Sequence, residues 1–408
     1  MSAKRTKILV SAYACEPNLG SEIGVGWHWV LEMAKYFDLW VLTRESNRAS
    51  IEGWFEQSPC EPRPTFIYYD LPKRWRFWKR GLRGVRLYYM LWQAFTNRLV
   101  KSTMRENGIE VYHLLTYGNA LWSVSRYGQK LHFVWGPTSA GTYLSSDFTR
   151  HYGLKNRLKE AAQRVMAQTL SFNIGFRNRC RDARVILCKT EQTRLSVPQK
   201  YRDKALVFTD VAIELFDTSK YEKRPDDGVV RYLAVGRLDS WRGFDLMIEA
   251  FAKALSINDK LRLDILGKGG DKERLKGIIS RLGVGDKVTL RGQVTMEEYY
   301  QAMSDCDVVL NPTLKEGAVT TAFDSMSFAK PLICINTGGY TRYFDNDYAV
   351  VLDLKSRCET IEDLASAVVR LADPVVRKSL STQIVAVREQ FTWARKGEQI
   401  RDVINGTL

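Results

Sequence analysis

Short apolar runs recur along the chain, each followed by a longer stretch whose apolar positions fall three or four apart. The run KILVSAY is rich in Val and Ile and of strand length; after the turn CEPNLGSEIGVG, the segment GWHWVLEMAKYF keeps helical spacing, and LWVLTR returns to strand. Further strand candidates are TFIYYD, VYHLLTY, LHFVWGP, ARVILCK and ALVFTDVAI. A second series begins at VVRYLAVGRLDSWRGFDLMIEAFAKAL and continues through LRLDILGKGG, KVTLRGQV, DVVLNPT and PLICINT. This alternation of strand and helix predicts parallel-sheet α/β domains. Between the two series FDTSKYEKRPDDG is polar and contains Pro and Gly, which predicts a linker.

A chain of 408 residues is too long for one core and suits two α/β halves with a cleft between them, ligands lying at the carboxyl ends of the strands. The expected spans are 1–208, 209–384 and a last helix, 385–408, that crosses back to the N-terminal domain on Phe391, Trp393, Ile400, Val403 and Ile404. No run approaches the roughly 18 apolar residues of a membrane span. The start MSAKRTKILVSAYAC has the ingredients of a lipoprotein signal, but its apolar part is only about seven residues and an acidic, Pro-containing stretch follows, so a buried first strand is favoured. Seven cysteines with no close CxxC pair predict neither a disulfide framework nor a zinc site, and a reducing cytoplasm is expected.

The net charge of +15 is uneven. Between Lys73 and Arg105 stand ten Lys or Arg and no acid, interleaved with Trp75, Phe77, Trp78, Tyr88, Tyr89, Trp92 and Phe95. Cations mixed with aromatics suit an anionic lipid interface. An ordinary solvated face is the plain alternative, and RNA or single-stranded DNA is less favoured.

Three strand-to-helix turns have the chemistry to hold a phosphate, because free N–H groups and the helix dipole converge there. The first is LGSEIGVG, with Gly20 and Ser21; it lacks the GxGxxG spacing of a nicotinamide dehydrogenase, and close packing alone would also explain it. The second, VGRLDSWRG, follows Gly236 with Arg237 and Arg242, guanidiniums able to grip a diphosphate in bidentate fashion. The third spans Glu316, Gly317, Ala318, Val319 and Thr320, with Asp324 farther along the helix. There Gly317 admits a ligand, the Ala318 and Val319 amides offer donors, and Glu316 offers an acceptor for sugar hydroxyls; a helix cap and an exposed helical carboxylate are the alternative.

Taken together, VGRLDSWRGFDLMIEAF, LDILGKGGDKERL, VTLRGQV, YYQAMSDCDVVLNPTLKEGAVTTAFDSMSFAKPLI and FTWARKGEQI resemble the C-terminal domain of family 4 retaining glycosyltransferases of the GT-B fold. SAYACEPNLGSEIGVGWHWV and HFVWGP resemble the N-terminal domain of bacterial members that build surface polysaccharides. The resemblance implies two Rossmann-like domains facing each other across a cleft. It implies a hexosyltransferase moving a sugar from a nucleotide-diphosphate sugar to a glycan or lipid-linked acceptor hydroxyl, with no metal and no cofactor. Arg237 and Arg242 match the family's diphosphate-binding pair, Glu316 the glutamate on the donor sugar, and Asp324 the residue on the ribose, one methylene shorter than usual. The loop reads Gly317-Ala318-Val319 where members usually have Gly-Phe-Gly. His113 is the nearest match to a histidine common near the active centre, a core histidine being the alternative. Peripheral attachment to the inner face of the plasma membrane is expected from the 73–105 segment. A nucleotide-sugar epimerase of the same fold and a basic nucleic-acid-binding protein are the competing functions. The DxD spacing at Asp305–Asp307 is expected to close a helix and hold no metal, and Asp345–Asp347 to be a loop.

Overall fold

The computed structural model describes residues 5–406 except 59, 60, 80, 82, 83, 116, 118, 125–130, 216, 223, 316 and 318, and the side chain of Ser21 is also outside the description. The chain divides into two compact units: Met1–Thr142 with Met166–Asp210 and Trp393–Leu408, and Tyr143–Val165 with Val211–Thr392.

Among the described residues the first unit holds a seven-stranded parallel sheet. Its strands are β1 (Lys7–Ala12), β2 (Asp38–Thr43), β3 (Thr65–Tyr68), β4 (Val111–Leu115), β5 (His132–Thr138), β6 (Val185–Cys188) and β7 (Ala205–Val207), in the order β3-β2-β1-β4-β5-β6-β7. Ile8, Leu9 and Val10 of β1 are fully buried, as expected of a strand covered on both faces. The following helix, Ser21–Tyr36, starts earlier than its apolar spacing predicts and takes Gly24 and Gly26 into its first turns. Tertiary packing outweighs their poor propensity: a Cβ on Gly26 would lie 1.9 Å from the Ala14 carbonyl oxygen. The helix Trp393–Asn405 belongs to this unit, where Trp393 stacks on His28 with ring centroids 4.9 Å apart.

The second unit holds, among the described residues, a six-stranded parallel sheet: β8 (Val230–Val235), β9 (Leu261–Leu266), β10 (Val288–Gly292), β11 (Val308–Asn311), β12 (Leu332–Ile335) and β13 (Val350–Leu352). The order β10-β9-β8-β11-β12-β13 puts a topological switch point between β8 and β11, where such sheets bind ligands. The helix Phe244–Leu255 covers it with Phe244, Leu246, Met247, Ile248 and Phe251, all buried.

The division departs from the expected span 1–208 at residues 143–165, which group with the second unit. The reason is apolar burial: Leu144, Phe148 and Tyr152 join the second unit's core, and the Asp147 carboxylate accepts the Arg357 N–H at 2.5 Å. The predicted linker lies inside the second unit, which resumes at Val211.

Candidate active site

In the second unit the loops after β8, β9 and β11 leave from one edge of the sheet and are tied by main-chain bonds. The Gly236 N–H donates to the Leu266 carbonyl (3.0 Å), Leu238 to Lys268 (3.1 Å) and Asp271 to Leu238 (3.0 Å), while Leu314 donates to Trp241 (3.3 Å). The approach of the first two loops is so close that a Cβ on Gly267, whose φ is +136°, would lie 1.9 Å from the Gly236 carbonyl oxygen. Only glycine fits there. The sequence LGKGG therefore records a backbone contact.

Both predicted arginines belong to this edge. Arg237 follows β8 directly, its side chain 65% exposed, and its guanidinium donates to Asp239 Oδ2 from Nη2 (2.6 Å) and Nε (2.9 Å). Asp239 was not singled out in the sequence; an acid two residues from an arginine in a loop is the signal that would have found it. Arg242 closes a short 3-10 turn, its guanidinium carbon 4.5 Å from the Trp241 ring centroid. Its Nη1 lies 4.0 Å from where a Cβ on Gly236 would be, so the cation lies across the start of the β8 loop. Beside this loop is a cavity of about 300 Å³ lined by Asp239, Trp241, Gly270, Lys155 and Lys159 among others.

After β11, Gly317 and Val319 are buried, and Thr320 opens the helix Thr320–Ser327. Val319 stands at the N-cap and its side chain makes no cap bond. Glu316 and Ala318 lie outside the described residues. Asp324, on that helix, accepts the Tyr299 hydroxyl at Oδ2 (2.6 Å). Burial pushes its carboxyl up to about 6, while the Tyr299 bond acts in the opposite sense and the charge of Glu214 adds to the rise. Tyr299, on the helix Met296–Asp305, is a partner that no local pattern announces.

The loop is also anchored from an unforeseen direction. Lys315 Nζ donates to Glu160 Oε2 (2.5 Å) and Gln163 Oε1 (2.6 Å), with the two charged side chains 9% and 4% exposed. Burial lowers the Lys315 pKa and the Glu160 charge opposes that shift.

The first unit's candidates lie on its own sheet edge and switch strand. Gly20 is the extended N-cap of the helix Ser21–Tyr36, and Glu22 puts an acid in its first turn, 4.0 Å from Lys189 Nζ. His113 is on β4, fully buried, with Nε2 2.7 Å from the Gly136 carbonyl oxygen. Burial holds its pKa down to about 4, the Gly136 contact acting the other way. The neutral ring therefore keeps its proton on Nε2 to donate to that carbonyl, leaving Nδ1 as a buried lone pair.

Among the described residues no group of three His, Cys, Asp or Glu side chains is placed to hold a metal ion. Asp307 of the DxD pattern lies at the opposite edge of the second sheet, accepting the Arg231 N–H (2.8 Å) and facing Arg224 (3.3 Å). In the 73–105 segment Phe77 is 78% exposed and Trp75 and Phe95 are also exposed, 5.6 Å apart, whereas Tyr88, Tyr89 and Trp92 are buried. Arg80 and Arg83 lie outside the described residues. No helix of the described residues is long and apolar enough to cross a membrane.

Residues 216–371 match the family model described as "Glycosyl transferases group 1". A D-inositol 3-phosphate glycosyltransferase of Acidothermus cellulolyticus is 27% identical over 205 residues, covering 47% of this chain and 45% of that protein. The N-acetylgalactosamine-N,N'-diacetylbacillosaminyl-diphospho-undecaprenol 4-alpha-N-acetylgalactosaminyltransferase of Campylobacter jejuni is 26% identical over 149 residues, 36% of this chain and 39% of that protein. The chain thus spans less than half the length of these relatives. The crystal structure of Anabaena HepE in complex with UDP and glucose superposes with a TM-score of 0.59 at 15% identity, covering 98% of this chain and all of that one. Residues 216–371 are therefore similar to the group 1 glycosyltransferases, within a chain of GT-B fold with two Rossmann-like parallel-sheet units.

Proposed function

We propose that this protein is a retaining, metal-independent glycosyltransferase that moves a sugar from a nucleotide-diphosphate sugar to a hydroxyl of a glycan or lipid-linked acceptor in cell-envelope glycan synthesis. The observation that carries the reading is the second sheet's switch point, where Arg237 and Arg242 on the loop after β8, and Thr320 and Asp324 on the helix after β11, lie inside the segment matching the group 1 family. A lipid-linked acceptor is supported by the Campylobacter relative, whose name carries a diphospho-undecaprenol substrate.

Departure of the diphosphate leaves negative charge on the leaving group and positive character on the anomeric carbon. The two guanidiniums and the amides after β11 meet the first, in the place a metal would otherwise take. Glu316 orients the donor sugar, Asp324 accepts from the ribose hydroxyls, and the acceptor hydroxyl attacks the face the diphosphate leaves, so the anomeric configuration is kept. Gly20, Ser21 and His113 are assigned to the first unit's share of the chemistry. Exposed Trp75, Phe77 and Phe95 among the cations of 73–105 support peripheral attachment to an anionic membrane face, with the protein in the cytoplasm.

A thermal-shift screen against UDP, GDP, ADP and dTDP and their sugars tests the reading, because a ligand bound only by the folded state raises its Tm. A saturable rise with one nucleotide and its sugar is expected. No rise with any of them overturns it, and release of an altered sugar without an acceptor would establish the epimerase instead.

A further inference from the structure

The segment 143–165 falls in sequence between β5 and β6 of the first sheet, yet it packs in the second unit. One face of the helix Leu154–Gln168 carries Asn156, Glu160 and Gln163, spaced four and three apart, so the three side chains project together. Each has a partner on a loop of the candidate donor site. Asn156 Nδ2 donates to Ser240 Oγ (2.7 Å), in the 3-10 turn that ends with Arg242. Glu160 and Gln163 both accept from Lys315 Nζ, and Lys315 immediately precedes Glu316. Leu154, Leu158 and Val165 of the same helix are exposed.

We propose that this face is a positioning element of the donor site, in which Asn156 sets the β8 loop and the Glu160–Gln163 pair, through Lys315, sets the loop after β11. The inference rests on the glycosyltransferase reading above. The two loops it holds are those flanking the switch point, and the Leu314 N–H donates to the Trp241 carbonyl between them at 3.3 Å. Lysine has a long, rotamer-rich stem, so a lysine held by two acceptors in a buried place restricts the loop on either side far more than an exposed one would. The cavity of about 300 Å³ lies between this helix and the Asp239–Trp241 turn. Glu160, Gln163 and Asn156 touch the loops and act through them; they are positioning residues.

The test uses the full chain, with UDP and UDP-glucose as first probes and the other nucleotide pairs of the screen if those do not bind. Release of free sugar from the bound donor is followed with water standing in for the acceptor: the bond from the anomeric carbon to the diphosphate breaks, a bond to water oxygen forms, and the proton leaves with the diphosphate. Glu160→Gln is expected to lower kcat by at least tenfold while the Kd for the nucleotide diphosphate stays within about twofold. Because a buried unpaired lysine can unfold the unit, the double variant Glu160→Gln with Lys315→Met, which removes both charges at similar volume, is measured beside it. It is expected to melt near the wild type and remain as slow as the single variant, with Glu160→Asp recovering part of the rate. A double variant with wild-type kcat overturns the inference and leaves the pair a structural contact only. A wild-type protein that binds no nucleotide in the screen overturns the underlying reading as well, which separates the two failures.

Discussion

Tyr299 donates its hydroxyl proton to Asp324 at 2.6 Å, and this bond opposes the burial that pushes the Asp324 carboxyl up to about 6. Below that pH the carboxyl is protonated and offers a ribose a poorer acceptor. Nucleotide-diphosphate binding is therefore expected to weaken as pH falls through about 6. Tyr299→Phe removes the bond that favours the charged form, so the midpoint moves upward, by roughly one unit if the bond contributes about 1.5 kcal/mol. Asp324→Asn reduces the dependence in this window to that of the nucleotide's own terminal phosphate, whose second ionisation also lies at about 6. Calorimetric titration with UDP between about pH 5 and 8 reads all three; a midpoint that ignores Tyr299→Phe would remove Asp324 from the ribose site.

Arg237 is paired with Asp239, so an arriving diphosphate meets an acid beside its cation. Arg237→Ala is expected to weaken nucleotide-diphosphate binding by about tenfold to a hundredfold, the range of charge-assisted hydrogen bonds worth roughly 1.5–3 kcal/mol. Asp239→Asn acts oppositely: an exposed ion pair is worth about 0–1 kcal/mol, so affinity rises by up to about fivefold. Titrations at low and high salt check both, and a folded Arg237→Ala protein with full affinity would take Arg237 out of the diphosphate clamp.

Gly267 holds a positive φ with no room for a Cβ against the Gly236 carbonyl. Gly267→Ala is expected to cost at least about 2 kcal/mol and to displace the β8 loop. The urea midpoint of the second unit measures the first effect and UDP affinity the second.

His113 and Asp324 titrate in overlapping windows with opposite sign. The His113 pKa is depressed from 6.5 to about 4, so its contribution to stability is present above about pH 6.5 and is lost as pH falls toward 4, roughly 3 kcal/mol in all. The Asp324 pKa is raised from 3.8 to about 6, so its charged form is penalised and the second unit regains stability as pH falls through that range. Calorimetric melting at pH 7, 5 and 4 is expected to show the first unit's transition falling relative to the second's. His113→Gln, which keeps a donor for Gly136, should flatten the first unit's response.

Vesicle co-sedimentation tests the 73–105 surface. Binding to anionic vesicles at low salt that drops at high salt is expected. Phe77→Ser, removing the most exposed ring of the segment, should reduce it, and binding that ignores both salt and this change would locate attachment elsewhere.

Local pattern carried much of the fold. Parallel strands buried on both faces must be apolar throughout, so KILVSAY, VVRYLAV and DVVLNP are legible with no knowledge of their neighbours. Strand ends were less legible, since ALVFTDVAI reads as one apolar run whereas β7 stops at Val207. Helix starts were also less legible: Gly24 and Gly26 argue against a helix by propensity, and it is the carbonyls of Leu19 and Ala14 pressed against them that call for glycine in a helix beginning at Ser21. The basic, aromatic segment is a mixed case, since its composition does not reveal that Tyr88, Tyr89 and Trp92 turn inward while Trp75, Phe77 and Phe95 turn out.

Contacts between residues distant in sequence were decided by the tertiary structure alone. Lys315 and Glu160 are 155 positions apart, and nothing in either neighbourhood signals the other. The Asp324 pKa and the identity of its donor, Tyr299, depend on the packing of two helices. By itself the sequence determined which segments become strands and which chemistry stands in the turns between them, because strand burial and turn composition are local properties. Which of those groups are held, neutralised or shifted was left to the fold, because burial and pairing across the chain are set only when distant segments pack.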